Sequence, residues 1–289
     1  MKISSLLFFT FLSLSTLAQM TVKPKVIYGI DDRMDVYESS DNLMKELSRS
    51  TAAMIPNRNI VEVNGNYEIK SETLSDTGIC KSERFSNQPA AGDCSGFLVA
   101  PDVMVTAGHC VRSLSTCDET YWVFDYANIT SEVAKFSFSK DQVFRCKEIL
   151  AKEKDPGTLS DYAVVRLDRS VPGRLPLKFR KEGRVSNDSV LTVLGYPSGL
   201  PLKITTGAVI RNNTNNYYFN MNSDTYGGNS GSAVVDTKTG LVEGILVRGD
   251  TDYERTTTGE FCSISVVRGN TEGRGEDATR ITVVKALPR

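Results

Sequence analysis

Cys94-Ser95-Gly96-Phe97-Leu98-Val99-Ala100-Pro101-Asp102-Val103-Met104-Val105-Thr106-Ala107-Gly108-His109-Cys110 is the stretch on which the reading of this chain turns. Two short apolar runs, residues 96–100 and 103–107, flank a Pro-Asp pair, which predicts two strands joined by a tight turn. The second run leads into the only histidine of the chain, His109, set between a glycine and a cysteine. A lone histidine is ordinarily a satisfied surface or core residue. Here a disulfide from Cys94 to Cys110 would clamp the two strands and hold the imidazole in one rotamer, as a general base requires.

The same texture extends outward. From Gly92 onward, short candidate strands at 96–100, 103–107, 121–126, 133–138, 162–167, 190–196, 217–221, 232–236, 241–247 and 262–267 are separated by Gly, Pro, Asn and Asp. No helical periodicity intervenes, so the expected class is all-β, an antiparallel sandwich or barrel. The loop-rich run 171–187 is the candidate boundary between two halves.

Two more segments carry chemistry. In Asp224-Thr225-Tyr226-Gly227-Gly228-Asn229-Ser230-Gly231-Ser232-Ala233 the serine at 230 lies among glycines, which allow a sharp turn and the close approach of a substrate carbonyl. The amides of Gly228 and Ser230 could then converge as an oxyanion hole; the plain alternative is an ordinary Gly-Ser loop. Asp161 opens the apolar run Tyr162-Ala163-Val164-Val165, where a carboxylate could hold a catalytic histidine in one tautomer. Asp125, Asp155 and Asp168 are rivals, and the apolar neighbours of Asp161 favour it.

Ahead of this region, Met1-Lys2, an apolar run through Leu12 and Thr16-Leu17-Ala18 predict a cleavable signal over residues 1–18. Export to the periplasm or the exterior is expected. Six cysteines with no CxxC pair suit disulfides in an oxidising compartment. A net charge of -1 argues against a nucleic-acid surface, and no later apolar run is long enough to span a membrane. With one histidine, neither a zinc site nor any other cofactor is expected. Residues 19–88 read as an N-terminal extension, part of it a possible propeptide, before a domain at 89–289 with halves at roughly 89–180 and 181–289. Within the extension, Ser40 or Asp41 could cap a helix bearing Leu43, Met44, Leu47, Thr51 and Met54 on one face.

Thr106-Ala107-Gly108-His109-Cys110, Asp161-Tyr162-Ala163-Val164 and Gly228-Asn229-Ser230-Gly231 resemble the three signature segments of the chymotrypsin/trypsin family, in that family's order. Cys94 and Cys110 are spaced like its disulfide beside the histidine. Val26-Ile27-Tyr28-Gly29-Ile30-Asp31-Asp32-Arg33, Gly195-Tyr196-Pro197 and the serine segment look most similar to the bacterial glutamyl endopeptidase branch. The resemblance implies two six-stranded antiparallel barrels with His109, Asp161 and Ser230 in the cleft between them. It also implies a monomeric serine endopeptidase acting on proteins or peptides through an acyl-enzyme. Asp224, Thr225, Leu246, Arg248 and Gly249 would surround the specificity pocket.

Departures accompany the likeness. Leu246 stands where the glutamyl branch has a pocket histidine, so acidic and basic preferences are both open, with Asp224 at the pocket floor or Arg248 as the recognising charge. Asn229 replaces the aspartate that accepts a new N-terminal amine in trypsin-like zymogens, although a cut at Lys25–Val26 would resemble maturation there. Among the remaining cysteines, neighbouring strands would bring Cys117 to Cys146, and elimination leaves Cys80 with Cys262. A catalytically silent binding protein on the same fold and an esterase are the competing functions.

Overall fold

The expected hairpin forms: Cys94–Ala100 and Val103–Thr106 pair antiparallel, with Phe97 opposite Val105. The computed structural model describes residues 27–132 and 136–288. The expected signal, the Lys25–Val26 bond and residues 133–135 of one expected strand lie outside them. The hairpin is the centre of a seven-stranded antiparallel sheet. Thr51–Pro56, Thr120–Phe124 and Val143–Phe144 follow on one side, Asp161–Leu167 and Cys146–Lys154 on the other. Gly96 is required here, because a Cβ on it would lie 2.7 Å from the Trp122 ring.

The second half is built from Val190–Gly195, Ala233–Asp236, Val242–Arg248, Glu276–Arg280, Tyr218–Asn222 and Lys203–Asn212, with Arg33–Asp35 added at the edge. Val190–Gly195 also pairs with Lys203–Asn212, so six strands close on themselves, while the first half is a curled sheet. The loop 171–187 joins the two halves. Two antiparallel barrel-like halves in an all-β chain are the architecture expected. One core runs from Phe97, Met104, Val105, Trp122 and Val164 to Leu194, Tyr196, Ala233 and Ile245, so the halves share apolar contacts.

The boundary at residue 89 does not hold for the described part of the extension. Thr51–Pro56 is buried along its whole length between Thr120–Phe124 and Cys94–Ala100, and Arg33–Asp35 extends the second sheet. The expected helix is shorter, Asn42–Ser48, capped by Asp41, whose side chain accepts the Met44 amide at 3.1 Å. Thr51 and Met54, expected on its face, lie in the strand instead. A central strand buried on both faces shows no alternation, so its apolar residues mimic a helical stripe.

A second correction concerns the end of the chain. The run expected as one strand at 262–267 is split into Ser263–Ser265 and Val267–Arg268, which pair outside the barrel with Tyr253–Arg255 and Ile27–Tyr28. The closing barrel strand is Glu276–Arg280, buried throughout despite Glu276, Asp277 and Arg280. Those charges find partners in the fold, which sequence patterning does not show. Asp277 accepts from Arg248 and Arg274, and Arg280 donates to the carbonyls of Asn213 and Asn215.

All three expected disulfides are present, with Cα separations of 6.2 Å for Cys94–Cys110, 4.8 Å for Cys117–Cys146 and 5.0 Å for Cys80–Cys262.

Candidate active site

His109 follows the strand Val103–Thr106, and Asp161 opens the strand paired with it, Ala163 opposite Thr106. That register carries the carboxylate to the imidazole. Asp161 Oδ2 lies 2.8 Å from His109 Nδ1, and Oδ1 accepts the His109 backbone N–H at 3.0 Å. A carboxylate only accepts, so Nδ1 carries a hydrogen and the neutral ring presents a lone pair at Nε2. Gly108 makes the approach possible, because a Cβ there would lie 2.3 Å from the carbonyl oxygen of Glu153. Burial raises the Asp161 carboxyl, but the hydrogen bonds and charge of His109 outweigh that and hold it below its usual value. The rivals are engaged elsewhere: Asp155 with Gly157 and Thr158, Asp168 with Arg169, and Asp125 with Gln142 and Arg174.

Ser230 occupies a turn stitched to both halves of the molecule. Its carbonyl accepts the Ser95 amide at 2.8 Å, the Gly231 amide reaches Leu246 O at 2.7 Å, and Ser95 Oγ donates to Gly228 O at 2.8 Å. Gly228 and Gly231 adopt φ of 93° and 92°, where a side chain would be strained. The amides of Gly228 and Ser230 donate to no protein acceptor among the described residues. Ser230 and His109 line one cavity of about 580 Å³ together with Met54, Arg58, Cys94 and Arg112. No hydrogen bond from Ser230 Oγ to the ring is present among the described residues. Cys94, His109 and Cys110 also cluster, but both sulfurs are committed to the disulfide, which leaves the imidazole as the single donor of the group.

Ser230 also borders a smaller cavity of about 160 Å³, walled by Tyr226 and Gly227 on one side and by Leu246, Arg248 and Gly249 on the other. Leu246, Arg248 and Gly249, expected around the specificity pocket, are brought together in the lining of this cavity. Thr225 stands behind the wall, its Oγ1 donating to Glu276 Oε2 at 2.7 Å. Arg248 is held by Asp277 Oδ2 at 2.9 Å and by the Leu159 carbonyl at 2.9 Å.

Asp224 is not at the floor of this cavity. Its Oδ1 accepts the Tyr28 amide at 2.7 Å and its Oδ2 the Asp32 amide at 2.8 Å, and it lines a separate cavity of about 640 Å³ beside Thr206 and Arg211. The N-terminal segment supplies this carboxylate with two backbone amides, and the cavity that it lines is not the one that Ser230 borders. Burial nevertheless pushes the Asp224 carboxyl up to about 6. The acids that do border the small cavity are Glu276, Asp250 and Asp252, which sequence reasoning missed. The available signal was the pair Glu276-Asp277 directly after Gly275, at the start of a segment otherwise too polar to be read as a strand.

The chain is similar in structure to a Glu endopeptidase determined in complex with MPD, at 16% identity over 89% of this chain and 94% of that one, with a TM-score of 0.51. It is also similar to the active form of the Rv3671c protease from M. tuberculosis, at 16% identity over 98% and 92% of the two chains, with a TM-score of 0.46. At that identity the likeness to the Glu endopeptidase is one of fold. No curated protein matches the chain. The model of the trypsin-like peptidase domain matches residues 94–245, which hold His109, Asp161 and Ser230 and more than half of the chain. A double-barrel fold and that match together make this chain a member of the trypsin-like peptidase domain family, and a serine endopeptidase.

Proposed function

We propose that the enzyme is exported and hydrolyses peptide bonds through an acyl-enzyme on Ser230, with His109 as general base and acid and Asp161 orienting the imidazole. The observation that carries this reading is the two-point contact of Asp161 with His109, at 2.8 Å and 3.0 Å, beside a cavity the ring shares with Ser230. Nε2 takes the Ser230 proton as Oγ attacks the carbonyl carbon. The positive charge arising on the ring is stabilised by Asp161. The oxyanion is met by the Gly228 and Ser230 amides, which donate to no other acceptor among the described residues. Collapse expels the amine, protonated by His109, and water deacylates the ester by the same steps reversed.

Removal of residues 1–18 during export fits the pairing of all six cysteines in disulfides. The test is labelling of the purified mature protein with a fluorophosphonate, followed by peptide mapping. A single adduct on Ser230, absent from Ser230→Ala, is expected. An adduct on another serine, or none while peptides are cleaved, overturns the assignment.

A further inference from the structure

The small cavity beside Ser230 contains a carboxyl group without a counter-ion. Glu276 is 3% exposed, and no cation lies within ion-pair distance of it among the described residues. Its Oε2 accepts from Thr225 Oγ1 at 2.7 Å and its Oε1 from the Asp250 amide at 3.2 Å. The carboxyl lies against bare backbone, since a Cβ on Gly249 would sit 1.9 Å from Oε2. Asp250 and Asp252 border the same cavity, and Asp252 Oδ2 accepts the Gly227 amide at 2.7 Å.

The nearby cations are already committed. Arg268 pairs with Asp250 at 2.8 Å, Arg274 with Asp277 at 2.6 Å, and Arg248 with Asp277 at 2.9 Å. Arg248 does have one unpartnered nitrogen, which would favour an acidic guest. Its charge is nevertheless met by Asp277, whereas Glu276 has two hydrogen-bond donors but no ion-pair partner among the described residues. A carboxyl buried without a counter-ion keeps its proton, and a cation entering this cavity is the partner that lets it ionise.

We propose that Glu276 is the specificity-determining residue of the enzyme and that it selects Lys or Arg before the scissile bond. The cationic side chain enters between Tyr226–Gly227 and Leu246–Gly249 and becomes the counter-ion of Glu276. The assignment rests on Ser230 as the nucleophile, since that residue makes this cavity the one next to the reacting carbonyl. It departs from the acidic preference suggested by the likeness to glutamyl endopeptidases.

The proton balance adds an independent readout. Burial pushes the Glu276 carboxyl up to about 8, so the empty pocket holds a proton at neutral pH. The groups facing it are Arg248 at the end of its neighbouring strand, Asp250 and Asp252 beyond that strand, Arg274 ahead of its own strand, and Tyr28 from the N-terminal segment. Asp252 is itself pushed up by burial to about 6, and the Tyr28 hydroxyl to about 12, so neither gains charge near pH 8. A cation that ionises Glu276 therefore releases a proton when it binds at pH 7.

The test uses four peptides differing only in Lys, Arg, Gln or Glu before the scissile bond, with wild-type protein and Glu276→Gln. Wild type should prefer Lys or Arg. In Glu276→Gln the Lys-to-Gln ratio of kcat/KM should fall by roughly 30-fold or more, the scale for losing one partner of a buried charge pair. In parallel, n-propylguanidinium (an arginine side chain cut free) should bind Ser230→Ala at pH 7 with release of a proton in calorimetry. That arm requires neither catalysis nor a Glu276 variant. A preference for Glu or Gln, an unchanged ratio, or binding without proton release overturns the role of Glu276. Peptide cleavage that persists in Ser230→Ala overturns the nucleophile instead, while the Lys-to-Gln ratio still decides on Glu276.

Discussion

Asp224 and Tyr28 are joined by a hydrogen bond of 2.7 Å from the Tyr28 backbone amide to the Asp224 carboxylate. The link ties the N-terminal segment to the loop that carries Ser230, and a second bond from the Asp32 amide, at 2.8 Å, completes the grip. Replacing Asp224 by Ser is therefore expected to loosen residues 28–32 and to leave the preference before the scissile bond as it was. Each hydrogen bond to a charged acceptor contributes about 1.5–3 kcal/mol, less the cost of burying the charge, so a loss of roughly 2 kcal/mol is expected. Limited proteolysis of the segment and the Lys-to-Gln ratio measure the two effects separately. A changed ratio with an intact segment would return Asp224 to the specificity pocket.

Asp161→Asn should preserve the fold and lower turnover by about 10⁴-fold, because an amide in that place favours the wrong imidazole tautomer. Single-turnover kinetics on a peptide, with circular dichroism as the check on folding, provides the measurement. A loss below tenfold would point to a different orienting group.

The acid limb of kcat/KM should coincide with protonation of His109, since a charged ring cannot take the serine proton. Asp161 is held below its usual carboxylate value, so it stays ionised across that limb. Its stabilising contribution is fully present above the unfolded value and is lost only as pH falls through the lower folded value. With one histidine in the chain, a single imidazole resonance reports the titration directly. A limb over which that resonance does not move would contradict the mechanism.

Stability should decline as pH rises from about 4.5 to about 8, through the ionisation of Glu276. Its carboxyl is raised from 4.5 to about 8, so in that window the folded state binds more protons than the unfolded one. Glu276→Gln should flatten this part of the profile, measured as urea midpoints at several pH values. An unaltered slope would place the ionisation elsewhere.

Lys203→Met should cost about 3–5 kcal/mol, the range for leaving one member of a buried ion pair uncompensated. Lys203 Nζ is fully enclosed, 2.7 Å from Asp35 Oδ1 and 2.8 Å from Gln88 Oε1. Both partners come from the segment expected to be a mere extension. Coincident unfolding of residues 27–88 with the rest, followed by hydrogen exchange, would show the two to be one cooperative unit.

The hairpin ending at His109, the serine turn and the strand opening at Asp161 were legible because each depends on local chemistry. A Pro-Asp turn, glycines with φ above 90° at 228 and 231, and an apolar run behind an acid are readable over a few residues. All three disulfides followed from neighbouring strands and from counting. Thr51–Pro56 was misjudged because a strand buried on both faces carries no alternation to distinguish it from a helical stripe. Glu276–Arg280 was missed because charges argue for exposure until their partners are known, and those partners are distant in the chain.

The charge of the specificity pocket shows where the division falls. Sequence alone determined the candidates for the proposed chemistry, since His109, Asp161 and Ser230 each sit in a segment whose backbone is dictated locally. It offered Asp224 and Arg248 as recognising charges with nothing to decide between them. The tertiary structure turned Asp224 toward the amides of Tyr28 and Asp32, tied Arg248 to Asp277, and left Glu276 facing the cavity beside Ser230. A turn is set by the torsions of adjacent residues, whereas the free charge in a buried pocket is whatever long-range pairing leaves unneutralised.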